Sequence, residues 1–332
     1  LEFRRVLFRS SIEAWTWLLA RELNQLGHQV TVFGCAGSAV DGQVVATLPG
    51  PYATAGSPDD WQLCEWMNLC RAVERAGEFE LDVLHAQAYL WGAPLAAFSR
   101  APLVHTLHIM PDDNHAALWR AWPQTAVTAL SRQQWSGHPD LKPMAVVPHG
   151  VDAAQFTLQE TPGDYLLYLG RFISGKGPLH AIHIARALGL RLVLAGPENP
   201  YFREKVKALV DGKHVEYVGF VRGADRSRLL GGARALLYPL QHPEPFGLVL
   251  VEAMLCGTPI AALRLGAVPE IVEDGVTGVT AASTEELQRR VPDCFTLDRR
   301  RIRAVAEARF SATRMAVGYE AVYRQLTGAR LA

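Results

Sequence analysis

Cysteine is scarce in this chain of 332 residues. Its five cysteines, Cys35, Cys64, Cys70, Cys256 and Cys294, show neither C-x-x-C spacing nor the density of a disulfide scaffold. A disulfide-stapled domain is therefore excluded, and a reducing, cytoplasmic setting is the expectation. A surplus of charge is missing too, since 33 basic residues balance 33 acidic ones. Without a basic bias there is no electrostatic case for a nucleic-acid partner, and no acidic run marks a tail. No apolar run approaches the roughly 20 residues a membrane-spanning helix needs, and no secretory signal pattern is recognisable. Low-complexity tracts and short internal repeats are likewise lacking.

What is present is an ordinary globular composition, 49% hydrophobic and 20% charged, and a length that accommodates two domains with separate cores. Strand and helix patterns alternate along it. In the first half an amphipathic helix at 12–27, with Trp15, Leu18, Leu19 and Leu23 on one side, leads to strands at 30–33, 43–48, 81–85 and 103–107, with helices near 59–76 and 90–99. In the second half strands at 165–169, 191–195, 214–218 and 235–239 alternate with helices at 179–188, 201–210 and 223–231, and 284–326 reads as helices. Such alternation argues an α/β class, each half a parallel sheet with helices on both faces and ligands beyond the carboxyl ends of the strands. The polar stretch 157–163, with Pro162 and Gly163, is the best linker candidate. Trp119, Trp122 and Trp135 are read as core rather than as a stacking platform.

The most informative stretch is 242–271, H-P-E-P-F-G-L-V-L-V-E-A-M-L-C-G-T-P-I-A-A-L-R-L-G-A-V-P-E-I. Phe246, Val249, Leu250, Ala253 and Met254 recur at helical spacing, so it reads as strand, short polar turn, helix. Pro245 falls where a first helical turn tolerates proline, and Cys256-Gly257-Thr258-Pro259 supplies a stop. Glu244 and Glu252 are eight positions apart, which in helical chain is roughly 12 Å along the axis. That is the span of a sugar joined to a nucleoside through two phosphates, with the free N–H groups of the helix start facing the diphosphate. Read blandly, Glu244 only complements the helix dipole and Glu252 is a solvated helix residue. A second signal lies at 170–178, G-R-F-I-S-G-K-G-P, where a strand feeds a glycine-rich loop and a helix. This is a phosphate-binding context, although it lacks the lysine-serine or lysine-threonine ending of a nucleotide-hydrolase P-loop.

Taken whole, E-P-F-G-L-x-x-x-E-A-M-x-C-G-T-P followed by G-A-V-P-E-I-V-x-D-G-V-T-G resembles the donor-site signature of retaining glycosyltransferases of family 4. The resemblance implies the GT-B architecture, two doubly wound, Rossmann-like parallel-sheet domains facing across a cleft. Its divisions here would be 1–155 on the acceptor side, 156–309 on the nucleotide-sugar side, and a helix at 310–332 returning to the first domain. Glu244 would lie beside the transferred sugar and Glu252 would accept from the ribose hydroxyls. Phe246, Gly247 and Leu248 would offer backbone N–H groups, and Gly219, in Val218-Gly219-Phe220-Val221, would help cradle the base. The 170–178 loop resembles the family's G-R-x-x-x-x-K-G element, in which Arg171 and Lys176 would hold the diphosphate. Arg suits this as a planar fork and Lys as a mobile point charge, and both stabilise charge growing on the leaving diphosphate. His108, in H-T-L-H, resembles the strand-end histidine that lines the cleft near the reacting sugar. Asp112 and Asp113 are candidate acceptor contacts without a signature of their own. His149 stands where the second landmark before the crossover usually has Asn.

The implied activity is transfer of a sugar from a nucleotide-diphosphate donor, with uridine the expected nucleoside, to an unidentified acceptor with retention of configuration. No cofactor and no metal are expected, the nucleotide sugar being a substrate; peripheral contact with a membrane through a lipid acceptor is left open. The opening Leu1-Glu2-Phe3-Arg4-Arg5-Val6-Leu7-Phe8-Arg9-Ser10 departs from the family and looks like foreign sequence in place of a first strand and glycine-rich loop. A divergent strand over residues 5–8 is the alternative reading. The departure leaves open a catalytically impaired, nucleotide-sugar-binding remnant. A sugar-nucleotide epimerase or a phosphorylase of similar architecture is a further alternative, against which the paired glutamates argue.

Overall fold

The computed structural model describes residues 11–89 and 91–328. The foreign-looking opening, with the alternative strand over 5–8, lies outside the described residues. The chain divides into two compact units, one formed by the chain up to Gly150 and again from Ala312, the other by Val151–Ser311.

In the first unit α1 (Ser11–Gln25), β1 (Thr31–Cys35), β2 (Gln43–Leu48), α2 (Trp61–Arg75), β3 (Leu84–Ala86), α3 (Gly92–Leu95), β4 (Leu103–Thr106), α4 (Asp113–Ala121), β5 (Ala126–Ala129) and β6 (Ala145–Val146) follow in order. The alternation predicts one parallel sheet here; the described residues form two. β1 pairs in parallel with β2, and β3-β4-β5-β6 form a separate parallel sheet. Alternation specifies strands and helices but carries no information on which strands pair. The helix expected near 90–99 is also shorter, one turn of α3 and a 3₁₀ turn at Ala96–Phe98.

The second unit runs β7 (Tyr165–Leu169), α5 (Pro178–Ala187), β8 (Arg191–Ala195), β9 (Val215–Tyr217), α6 (Gly223–Gly232), β10 (Ala235–Tyr238), α7 (Leu248–Leu255), β11 (Ile260–Leu263), α8 (Val268–Ile271), β12 (Gly278–Ala281), α9 (Thr284–Arg290) and α10 (Arg299–Phe310). Residues 201–210, predicted as α-helix, instead wind as a π-helical turn at Phe202–Val206 and a 3₁₀ turn at Lys207–Leu209. The closing helix, α11 (Ala312–Thr327), belongs to the first unit, where its Met315, Ala316, Tyr319 and Val322 share a core with Trp15, Leu18, Leu19 and Leu23 of α1.

All six strands of the second unit are parallel, in the order β12-β11-β10-β7-β8-β9. Helices cover both faces of such a sheet, so its strands are continuous apolar runs rather than alternating ones. Leu166, Leu192, Leu194, Ala235 and Ala261 are fully enclosed in its core, beside the packed rings of Tyr168, Phe172, Phe202 and Tyr217.

The stretch 157–163 is no free linker. Thr157 N–H donates to the Ser227 hydroxyl at 2.9 Å, Gln159 N–H to Cys256 O at 3.1 Å and Gly163 N–H to Gly232 O at 2.8 Å. Arg299, 8% exposed, binds the same region from the start of α10. Its guanidinium donates to the carbonyls of Gln159 (2.6 Å), Ala233 (3.0 Å) and Gly231 (2.5 Å) and to the Thr258 hydroxyl (2.7 Å). Thr258 in turn donates to Leu230 O at 2.6 Å. One buried cation thus ties α6, β10, α7 and the entering chain together, and burial lowers its pKa to about 10. Arg299→Met keeps the stem but removes every donor, leaving buried carbonyls unsatisfied, and is expected to cost about 3 kcal/mol. Urea unfolding checks this; an unchanged midpoint contradicts it.

Candidate functional site

The chain steps outward from β7 to β8 and β9, then returns to lay β10 on the other side of β7. β7 and β10 pair at Ala235 with Leu166 and Leu236 with Leu167, so the loops that follow them leave the sheet side by side. In an open parallel sheet this reversal point opens a crevice at the carboxyl edge. Here it brings the 170–178 loop against the start of the 242–271 stretch.

The two loops are stitched together. Gln241 N–H donates to Gly175 O at 2.9 Å, and Gly177, left-handed at φ 68°, lies so close to Pro239 that a Cβ would overlap its carbonyl. Only glycine meets both demands. Pro245 does not enter a first helical turn as its position predicts. Gly247 adopts φ 98°, so α7 begins only at Leu248, with Gly247 as N-cap and no side chain capping it. Leu250 N–H donates to Gly247 O at 3.0 Å, so the amides of Leu248 and Val249 and the positive end of the helix dipole are left for another partner. Glu244 lies outside the helix, and the axial spacing estimated from the sequence does not apply to it. Its backbone is held instead by the loop after β11, where Ala267 N–H donates to Glu244 O at 3.0 Å. Gly266, at φ 54°, packs so tightly on Glu244 that a Cβ would overlap its backbone.

Three charged groups, Arg171, Lys176 and Glu244, meet at this point. Lys176 forms an ion pair with Glu244 Oε1. Glu244 Oε2 is buried and has no hydrogen-bond partner among the described residues. Burial pushes the Glu244 carboxyl up to about 7, with Arg171 pulling the other way, and pushes Lys176 down to about 8, with Arg171 adding to that effect. Arg171 itself is exposed. Glu252, on α7, is held by Arg226 of α6. Tyr238, 6% exposed at the end of β10, places its hydroxyl over Gly247 without a hydrogen-bond partner among the described residues. Gly219 follows β9 at φ 79° and accepts from Gly196 N–H at 2.9 Å, between exposed Val218 and Phe220.

In the first unit, His108 follows β4. Its Nε2 donates to Gln87 Oε1 at 2.8 Å, its ring stacks on His149 with centroids 5.3 Å apart, and Trp15 meets it edge-on at 5.1 Å. Burial, with His149 adding, holds its pKa well below the usual range, so the imidazole is neutral. His85 is pinned between the Tyr323 and Thr106 hydroxyls, each at 2.7 Å. His105 is buried against Trp119, and Trp119 and Trp135 are core, as their spacing predicts. Asp112 commits its carboxylate to capping α4, accepting from His115 N–H at 2.9 Å, while Asp113 is an exposed first-turn acid.

The structure thus gathers Arg171, Lys176, Glu244, Gly247 and Leu248 at the reversal point and puts Glu252 on the helix that starts there. The motifs assigned no role to Arg226, Tyr238, Gly266 or Gln87, although Gly266 opens the G-A-V-P-E-I run of the donor-site signature.

With that geometry in view, relatives can be compared. The sequence profile of "Glycosyl transferases group 1" matches residues 153–309, and that of "Glycosyltransferase Family 4" matches residues 12–155. A D-inositol 3-phosphate glycosyltransferase of Xylanimonas cellulosilytica is 30% identical over 320 residues, covering 79% of this chain and 77% of the relative. The chain belongs to glycosyltransferase family 4. A glycogen synthase of Mycobacterium tuberculosis is 29% identical over 80% of this chain and 77% of its own length. AviGT4, a glycosyltransferase involved in avilamycin A biosynthesis, superposes with a TM-score of 0.70 at 27% identity over 96% of this chain and 91% of its own. Anabaena Alr3699/HepE, solved with UDP-glucose, superposes at 0.71 with 20% identity over 96% of each chain, a likeness of fold. The family's α/β fold, with parallel sheets in each unit, is the GT-B fold of these neighbours.

Glu244's folded pKa lies above the ordinary 4.5, so between that value and about 7 the folded protein holds more protons than the unfolded chain. Stability is expected to fall as pH rises through this window, and Glu244→Gln to flatten the fall. Urea unfolding from about pH 4 to about pH 8, which spans the ordinary carboxylate value and the raised one, is the check. An identical slope in the variant contradicts the assignment.

Proposed function

We propose that the second unit binds a nucleoside-diphosphate sugar at the β7–β10 reversal point and that the chain transfers the sugar to an acceptor with retention of configuration. The observation that carries this reading is the convergence of two cations, Arg171 and Lys176, with the uncapped start of α7. An anion placed there would meet a planar guanidinium, an ammonium and free amides together. Glu252 would take the ribose hydroxyls and Glu244 a hydroxyl of the sugar, while the backbone around Gly219 would face the base.

Lys176 is paired with Glu244. A diphosphate offers Lys176 a stronger partner, and its arrival would release Glu244 toward the sugar. As the glycosidic bond breaks, negative charge accumulates on the departing diphosphate, and fixed positive groups stabilise it most at that moment. The Tyr238 hydroxyl, unpartnered over Gly247, would add a donor. The leaving phosphate would draw the acceptor's proton, so no dedicated protein base is required. His108 and the groups around it are assigned to the acceptor side, with the neutral imidazole serving as a hydrogen-bonding group. Uridine is the proposed nucleoside, supported by the UDP and UDP-glucose complexes of the Anabaena neighbour. The relatives are named for unlike activities, a D-inositol 3-phosphate glycosyltransferase and a glycogen synthase, so they select no single acceptor.

The test is release of nucleoside diphosphate from uridine, guanosine and adenosine diphosphate sugars. Release from the uridine donor is expected, falling by about two orders of magnitude in Arg171→Ala, as for loss of a charge-stabilising donor. No release from any donor, or full release by Arg171→Ala, contradicts the reading. Glu252→Ala is expected to weaken nucleotide binding by about 1 to 3 kcal/mol, the scale of hydrogen bonds to a charged group; calorimetric titration measures it, and unchanged affinity removes Glu252 from the ribose site.

A further inference from the structure

We infer that Arg226 is a positioning residue for ribose recognition, fixing one oxygen of Glu252 so that the other is presented to a vicinal diol. The inference rests on the nucleotide-binding reading above and adds to it a residue that no motif marks. Both Nε, at 2.9 Å, and Nη2 of Arg226 donate to the same oxygen, Glu252 Oε2. No hydrogen bond from a described residue reaches Oε1. The Glu252 side chain is 15% exposed, so this free oxygen is sheltered yet open at one side.

A glutamate on a helix surface samples many rotamers, and ordering it on binding costs entropy that a ligand contact must offset. Arg226 removes that freedom beforehand, because a planar guanidinium that puts two N–H groups on one oxygen fixes the orientation of the carboxylate plane. The frame behind it is stiff. α6 carries Arg226, and its end is fastened to the turn after α7 by Thr258 on Leu230 O and by Arg299 on Gly231 O. Its neighbour Ser227 is buried and accepts from Thr157 N–H at 2.9 Å. A carboxylate with one oxygen so occupied is an acceptor only, and its matching ligand group is a set of hydroxyl donors, not another anion. The alternative is that Arg226 merely ties α6 to α7.

The experiment is calorimetric binding of UDP, GDP and ADP, and of the dideoxy counterpart of whichever binds tightest, to the wild-type chain, Arg226→Met, Arg226→Lys and Glu252→Gln. The wild-type chain is expected to prefer the ribonucleotide by about tenfold or more. Arg226→Met should lose most of that preference while binding the dideoxy compound as before, and Arg226→Lys should retain part of it. Adding Arg226→Met to Glu252→Gln should change nothing further. If Arg226→Met keeps the full preference, or weakens both ligands equally, the residue is a structural tie and the inference is overturned. Should Arg226→Met fail to fold, a preference in Arg226→Lys equal to the wild-type one overturns it in the same way. A wild-type chain that binds no nucleotide, or binds both forms alike, overturns the ribose reading of Glu252 and this inference with it. That result is distinct from a wild-type preference that survives loss of Arg226.

Discussion

The pairing of β7 with β10 is the constraint on which the rest of the second unit depends. Because every strand of its sheet is parallel, all carboxyl ends lie on one edge, and wherever strand order reverses, two loops distant in sequence must emerge together. The loop with Arg171 and Lys176 and the loop with Glu244 are brought into register by this pairing, not by any contact between their side chains. Their closeness is then fixed by glycine. Gly177 lets one loop rest on the Pro239 carbonyl, and Gly266 lets a third loop rest on the backbone of Glu244. Gly247 delays the start of α7 and leaves its first turn uncapped beneath them.

Two cations of this unit, buried Arg299 and half-buried Lys176, illustrate opposite uses of charge. Arg299 meets three carbonyls and a hydroxyl, each within 3.0 Å, so its burial is compensated and its effect is to bolt α6 to α7. Lys176 and Glu244 face one another with one carboxylate oxygen unpartnered, and burial moves both toward their neutral forms. A half-satisfied, half-buried pair is weak evidence of stabilisation. It is the arrangement expected where groups are kept ready for a ligand rather than saturated by the fold. Glu252 lies between the two cases, with one oxygen held by Arg226 and the other open.

Much of the fold was legible because buried parallel strands write themselves as continuous apolar runs. The strands at 43–48, 165–169 and 191–195 start and stop where their composition predicts. Pairing was less legible. Nothing in residues 30–48 signals that β1 and β2 would pair apart from the other described strands of their unit, because register depends on partners rather than on local pattern. Helix starts were also misplaced where one backbone conformation decided them. Pro245 fits a first turn by type, yet the left-handed Gly247 two residues later forbids one. The linker expected from the composition of 157–163 is in fact fastened by backbone hydrogen bonds that composition does not report. Within the site, charged residues in glycine-rich loops were visible as a motif. Arg226 was not, because its partner lies 26 residues away on another helix and a lone arginine on a helix carries no mark of its function.

The central claim is that a nucleoside diphosphate occupies the β7–β10 reversal point, its phosphates against the start of α7. Amide hydrogen exchange with and without saturating UDP tests this most directly, since it reads backbone protection segment by segment. The account predicts slowed exchange in residues 171–177 and 246–250, with Lys176→Ala abolishing both at the same UDP concentration. Protection confined to other segments, or undiminished protection in Lys176→Ala, would contradict it.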